Sequence, residues 1–111
     1  MNKNYYITTP IYYPSAKPHM GHAYSSIIAD FFARFKKMDN YNVFFLTGTD
    51  EHGLKIQRSA ENQNIDPLKF CDEISKTFRD LSKTLNLTNT DFIRTTEERH
   101  KKAVQYLWNE L

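Results

Sequence analysis

PHMGHAYSSIIADFFARFKKMDNYNVFFLTGTDEHG, residues 18–53, decides the fold. From Met20 the apolar positions fall at Met20, Ala23, Tyr24, Ile27, Ile28, Phe31, Phe32, Phe35 and Met38, the three-and-four spacing of one helical face. That face predicts a long helix packed on something large, with Phe31, Phe32 and Phe35 in the core. Asp39 and Asn40 end it, and Val43–Thr47 (VFFLT) is a continuous apolar run of strand length. Upstream, Tyr5–Thr9 (YYITT) is a first such run, rich in aromatic and β-branched residues and closed by Pro10. Strand, helix, strand with apolar strands predicts a parallel βαβ unit in an α/β domain, both strands buried. Ligands of such sheets sit beyond the carboxyl ends of the strands.

Working outward, Pro14 and Pro18 keep the segment before the helix irregular. Leu54–Asn62 reads as a helix, and Pro67 starts another with apolar residues at Cys71, Ile74, Phe78, Leu81 and Leu85. Asp91–Arg94 fits a short strand. Thr96, followed by Glu97 and Glu98, reads as the N-cap of a final helix with an apolar stripe at Val104, Leu107, Trp108 and Leu111. The sequence stops inside that stripe, and sheets commonly have about five or six strands. Residues 1–111 are therefore expected to be part of one longer domain, truncated at the carboxyl end.

The composition, 40% apolar and 25% charged, is that of a globular protein, and a net charge of +2 is too small to argue a nucleic-acid surface from bulk charge. The single cysteine, Cys71, allows no internal disulfide and falls on an apolar helix face, as a small core residue would. Without a secretory leader pattern or a run long enough to span a bilayer, the expected location is cytoplasmic, away from membranes.

All three glycines (Gly21, Gly48, Gly53) and three of the four histidines (His19, His22, His52) fall in the two loops that follow the strands. His19 and His22, three apart at a helix start, share one face where free backbone N–H groups and the helix dipole favour an anion. Gly21 between them leaves room for a flat base or ribose, so a nucleoside triphosphate is the natural guest. Asp50, just past the second strand, suits a ligand ammonium group. A metal held by His19, His22, Asp50 and His52 is the rival reading; zinc helices more often carry histidines four apart with a glutamate between them. Each residue alone is also compatible with capping and packing.

PHMGH, preceded by TPIYYPSAK at Thr9–Lys17, resembles the first signature of class I aminoacyl-tRNA synthetases. FLTGTDEHGLKI (Phe45–Ile56) and DFIRTTEERHKK (Asp91–Lys102) resemble the methionine-specific members. The resemblance covers the whole chain. It implies a Rossmann-like catalytic domain of which these residues are the amino-terminal half or less.

The resemblance further implies ATP-dependent activation of methionine to methionyl-adenylate, then transfer to the acceptor end of tRNA(Met), with Mg2+ as the counter-ion of ATP. His19 and His22 are then the catalytic phosphate donors, and Gly21 admits the adenine. The Ile11 carbonyl and the Asp50 carboxylate take the methionine ammonium, and Tyr13 lines the pocket. The family's lysine-bearing second signature, its connecting insertion, which can hold zinc, and its anticodon-binding domain do not occur in these residues, so the segment alone is expected to be inactive. The alternative function is a non-catalytic truncated paralogue that binds a nucleotide or a protein partner.

Overall fold

The computed structural model describes residues 3–111. In chain order the elements are β1 (Lys3–Thr8), α1 (Met20–Met38), β2 (Tyr41–Thr49), α2 (Leu54–Asn62), α3 (Pro67–Thr84), β3 (Asp91–Arg94) and α4 (Glu98–Glu110). The three strands form one parallel sheet in the order β1-β2-β3, which is the βαβ arrangement expected, extended by β3. Tyr5 pairs with Val43 and Ile7 with Phe45, while Gly48 lies opposite Ile93.

The helices end by local chemistry. Asn40, Asn64 and Asn86, just beyond α1, α2 and α3, carry positive φ of 62°, 53° and 52°. Asparagine tolerates this left-handed conformation better than other side-chain-bearing residues. At the start of α3, the Asp66 carboxylate accepts from the Leu68 and Lys69 N–H groups, with Pro67 in the first turn. The last helix departs from expectation: its N-cap is Glu97 and has no side-chain capping bond, because the Thr96 hydroxyl donates to Glu51 instead.

The core lies on one face of the sheet. Ala29 and Ala33 of α1 pack on Phe45, with Ile7 and Val43 around them. A second cluster joins Ile56 and Ala60 of α2 to Phe70 and Cys71 of α3. Burial and the nearby Glu51 carboxylate push the Cys71 thiol up to about 11, consistent with an inert core residue.

Two packing expectations are corrected. The surface of α1 that meets the sheet is its small one, Ser26, Ala29, Asp30 and Ala33, because small side chains let a helix backbone approach a strand closely. The large apolar face points away, with Phe31 65%, Phe32 45% and Phe35 53% exposed. The strands are likewise covered on one side only: Tyr6 and Phe44 are exposed on the other face, their rings 5.8 Å apart.

Asp30 ties α1 to the loop before β3. Its Oδ1 accepts from the Thr88 N–H at 2.7 Å and the Thr88 hydroxyl at 2.6 Å, and its Oδ2 from Arg34 Nε at 2.7 Å. Burial raises its pKa, but the Thr88 and Arg34 hydrogen bonds outweigh that and hold it below the ordinary 3.8. A depressed folded value means stabilisation present above 3.8 and lost as pH falls through the folded value. Asp30→Asn is expected to lower stability by about 1–3 kcal/mol at neutral pH. Denaturant titrations of parent and variant in the complete polypeptide should converge as the solution is acidified below 3.8.

Candidate active site

Two loops meet at the carboxyl edge of the sheet. The first leaves β1, whose last bond to β2 runs from the Thr9 N–H to the Leu46 carbonyl at 3.2 Å before Pro10 and Ile11 bulge away. Pairing resumes two residues beyond Pro10, where Tyr12 bridges Thr49 in parallel. The Tyr12 N–H donates to the Gly48 carbonyl at 2.9 Å, and the Asp50 N–H donates to the Tyr12 carbonyl at 2.8 Å. The Tyr12 hydroxyl lies 2.8 Å from Ser26 Oγ and donates to the His22 carbonyl at 3.2 Å, while its ring stacks on Phe78. This buried residue joins both loops to α1.

At the helix start the histidines form a reciprocal capping box. His19 Nδ1 accepts from the Gly21 N–H, and His22 Nδ1 accepts from the His19 N–H, each at 3.0 Å. An Nδ1 that accepts carries no proton, so each neutral ring bears its hydrogen on Nε2. Capping thus leaves two Nε2–H donors, on rings 3.9 Å apart. Burial and the neighbouring His19 hold the His22 imidazole below its usual 6.5, which favours this neutral form. The space at Gly21 admits the His19 ring itself: a Cβ there would stand 2.8 Å from His19 Cε1.

A cleft of about 380 Å³ opens beside the pair, lined by Tyr13, Lys17, His19, His22 and Lys55 among others. Sequence reading singled out neither lysine, although each adjoins a quoted motif; together they make the cleft cationic. Gly53, with φ of 132°, lets the second loop approach the first, since a Cβ there would lie 2.3 Å from the Tyr13 hydroxyl. Ile11 and Asp50 are not among the residues lining this cleft; the Asp50 N–H bonds to the carbonyl of Tyr12, the residue between Ile11 and the cleft-lining Tyr13. His52 goes elsewhere: its Nε2 is 3.3 Å from the Thr95 carbonyl, in a separate cleft with His100. Among the described residues no group of three His, Cys, Asp or Glu side chains is placed to hold a metal.

Sequence reasoning also missed Glu51, whose side chain is fully buried. Arg94 donates to both of its oxygens, from Nε at 3.0 and 2.8 Å and from Nη2 at 2.8 Å. Thr49 and Thr96 hydroxyls donate to it at 2.6 and 2.8 Å, and its own N–H donates to Thr95 Oγ1 at 2.8 Å. Hydrogen bonds from Arg94 to Glu51, and then to Asp72, raise the guanidinium pKa further. Removing one partner of such a pair leaves a buried charge uncompensated and costs about 3–5 kcal/mol.

The model of the family described as tRNA synthetases class I (M) matches residues 5–111. The chain is 56% identical over 111 residues to the methionine--tRNA ligase of Rickettsia bellii, covering all of this chain and 22% of that protein. It is 56% identical over 110 residues to the mitochondrial methionine--tRNA ligase of Takifugu rubripes, covering 99% of this chain and 19% of that one. The structure of Mycobacterium tuberculosis methionyl-tRNA synthetase bound by methionyl-adenylate superposes with a TM-score of 0.94 at 46% identity, over 96% of this chain and 21% of that one. An Agrobacterium radiobacter LeuRS, 22% identical, shares the fold with a TM-score of 0.84. The chain therefore spans about a fifth of the length of the methionine enzymes it matches. With the family model matched over nearly its whole length, on a parallel α/β sheet whose loops carry the PHMGH and TDEHG motifs, the chain belongs to the methionine-specific class I tRNA synthetases.

Proposed function

We propose that these residues form the amino-terminal part of the Rossmann-like catalytic domain of a methionine tRNA ligase acting in the cytoplasm, and supply its phosphate-aligning face. The observation that carries the reading is the histidine capping box, because it leaves two Nε2–H donors on rings that line one cleft at the positive end of α1. The methionine carboxylate is itself the nucleophile. It attacks the α-phosphorus of ATP, the bond to the bridging oxygen breaks, and pyrophosphate leaves with that electron pair. No proton need move, so rate depends on alignment and on stabilising the negative charge at phosphorus.

His19 and His22 donate to the phosphoryl oxygens, and Gly21, by giving the His19 ring its room, lets that ring lie over the helix start toward the nucleotide. The Asp50 carboxylate and the Ile11 carbonyl accept from the methionine ammonium, with Tyr13 against the amino acid. ATP enters with Mg2+, and the terminal ribose of tRNA(Met) then takes the methionyl group. The exposed large side chains of α1 and the uncovered sheet face suit burial by the remainder of the enzyme's own domains. Among the described residues no helix is long and apolar enough to cross a membrane.

The complete polypeptide that carries residues 1–111 is expected to exchange pyrophosphate into ATP only when methionine is present. Methionine-independent exchange, or none with folded protein, would sink the reading, and the latter would leave a binding module. His19→Asn keeps a side-chain helix cap but loses the imidazole donor; it should lower the exchange kcat by about a hundredfold and change the methionine KM by less than about threefold. In an NMR titration of the ring carbons, His22 should show a midpoint below 6.5, and His19→Asn should raise it. Since the depressed value is the folded one, the stability His22 contributes is present above 6.5 and declines as pH falls below it.

A further inference from the structure

Asp50 and His52 lie on either side of Glu51, and Glu51 alone of the three turns fully inward, to a side-chain exposure of 0%. The carboxylate meets Arg94 in a two-pronged pair, with Thr49 before it and Thr96 beyond β3. Backbone contacts complete the clasp: the Glu51 N–H reaches Thr95 Oγ1 at 2.8 Å, and the Cys71 thiol faces the Glu51 carbonyl at 3.8 Å. Arg94 continues to Asp72 of α3 at 2.6 Å. Four segments therefore converge on one residue of the loop after β2: the end of β2, α3, β3 and the Thr95–Thr96 turn. The polar groups facing the pair are those named, Thr49, Asp72, Thr95 and Thr96, with Cys71, and Glu97 Oε1 accepts from the Arg94 N–H at 3.2 Å.

We infer that Glu51 and Arg94 are positioning residues for the amino-acid subsite, fixing the backbone from which Asp50 reaches the methionine ammonium. This rests on the reading of Asp50 given above. Glu51 touches neither of the histidines. Its displacement should reach Asp50 directly and the phosphate donors only at a distance. A carboxylate held within about 0.5 Å of its working position binds an ammonium well, and a loop free to drift does not.

Steady-state exchange by the complete polypeptide tests this with Glu51→Gln, which keeps the shape but places an amide N–H2 against the Arg94 donors. The methionine KM is expected to rise about tenfold while the ATP KM moves less than about twofold. Thr96→Val removes a single donor to the same carboxylate and keeps the fold if Glu51→Gln does not; its methionine KM should rise about threefold with the ATP KM unchanged. Arg94→Lys retains charge without the two-pronged geometry and should fall between the parent and Glu51→Gln. A lowered melting temperature with both KM values at parental level in the folded enzyme, or equal rises in both, overturns the inference and leaves the pair a fold stabiliser. Parent enzyme lacking methionine-dependent exchange overturns the functional reading instead, so the two failures are distinguishable.

Discussion

The backbone of Tyr12 is the constraint on which the site depends. The regular β1 ladder ends at Thr9, and the chain would leave the sheet there if Tyr12 did not take up pairing with the end of β2. Its N–H and carbonyl clasp Gly48 and Asp50, while its side chain runs under α1 to Ser26 and the His22 carbonyl. One residue thereby sets the distance between the strand edge and the helix start. The ring, stacked on Phe78 and edge-on to His22, leaves that geometry little freedom.

Around this link the glycines act where side chains cannot be. Gly48 lies so near β3 that a Cβ would stand 1.9 Å from the Ile93 carbonyl oxygen, and Gly53 admits the Tyr13 hydroxyl. The helix ends that elsewhere in proteins often take glycine use asparagine here. The three glycines thus sit in the first turn of α1, at the end of β2 and at the start of α2, around the site. Histidine serves two purposes at once: in capping α1, the Nδ1 atoms fix which nitrogen keeps the proton, and the Nε2 donors are left free of the cap.

Much of this was legible because it is local. The period of apolar residues marked the helices, the runs Tyr5–Thr9 and Val43–Thr47 marked the first two strands, and the crowding of histidine and glycine after them marked the sheet edge. What was illegible depends on partners distant in sequence. Glu51 reads as one more surface acid in TDEHG, and its burial follows only from Arg94, 43 residues away. Tyr12 reads as loop because Pro10 precedes it and its partner is Thr49. In α1 two stripes compete: the large apolar one drew the eye, but the small one, Ala29 and Ala33, sits on the sheet, since van der Waals contact with a strand requires close approach.

A crystal structure of the complete polypeptide with methionyl-adenylate tests most directly the claim that these two loops make a single site. The expected result places a phosphoryl oxygen within hydrogen-bonding distance of His19 or His22 Nε2 and the methionyl ammonium on the Asp50 carboxylate. An adenylate bound away from the α1 amino terminus, or with its ammonium held by groups other than Asp50 and Ile11, would contradict it.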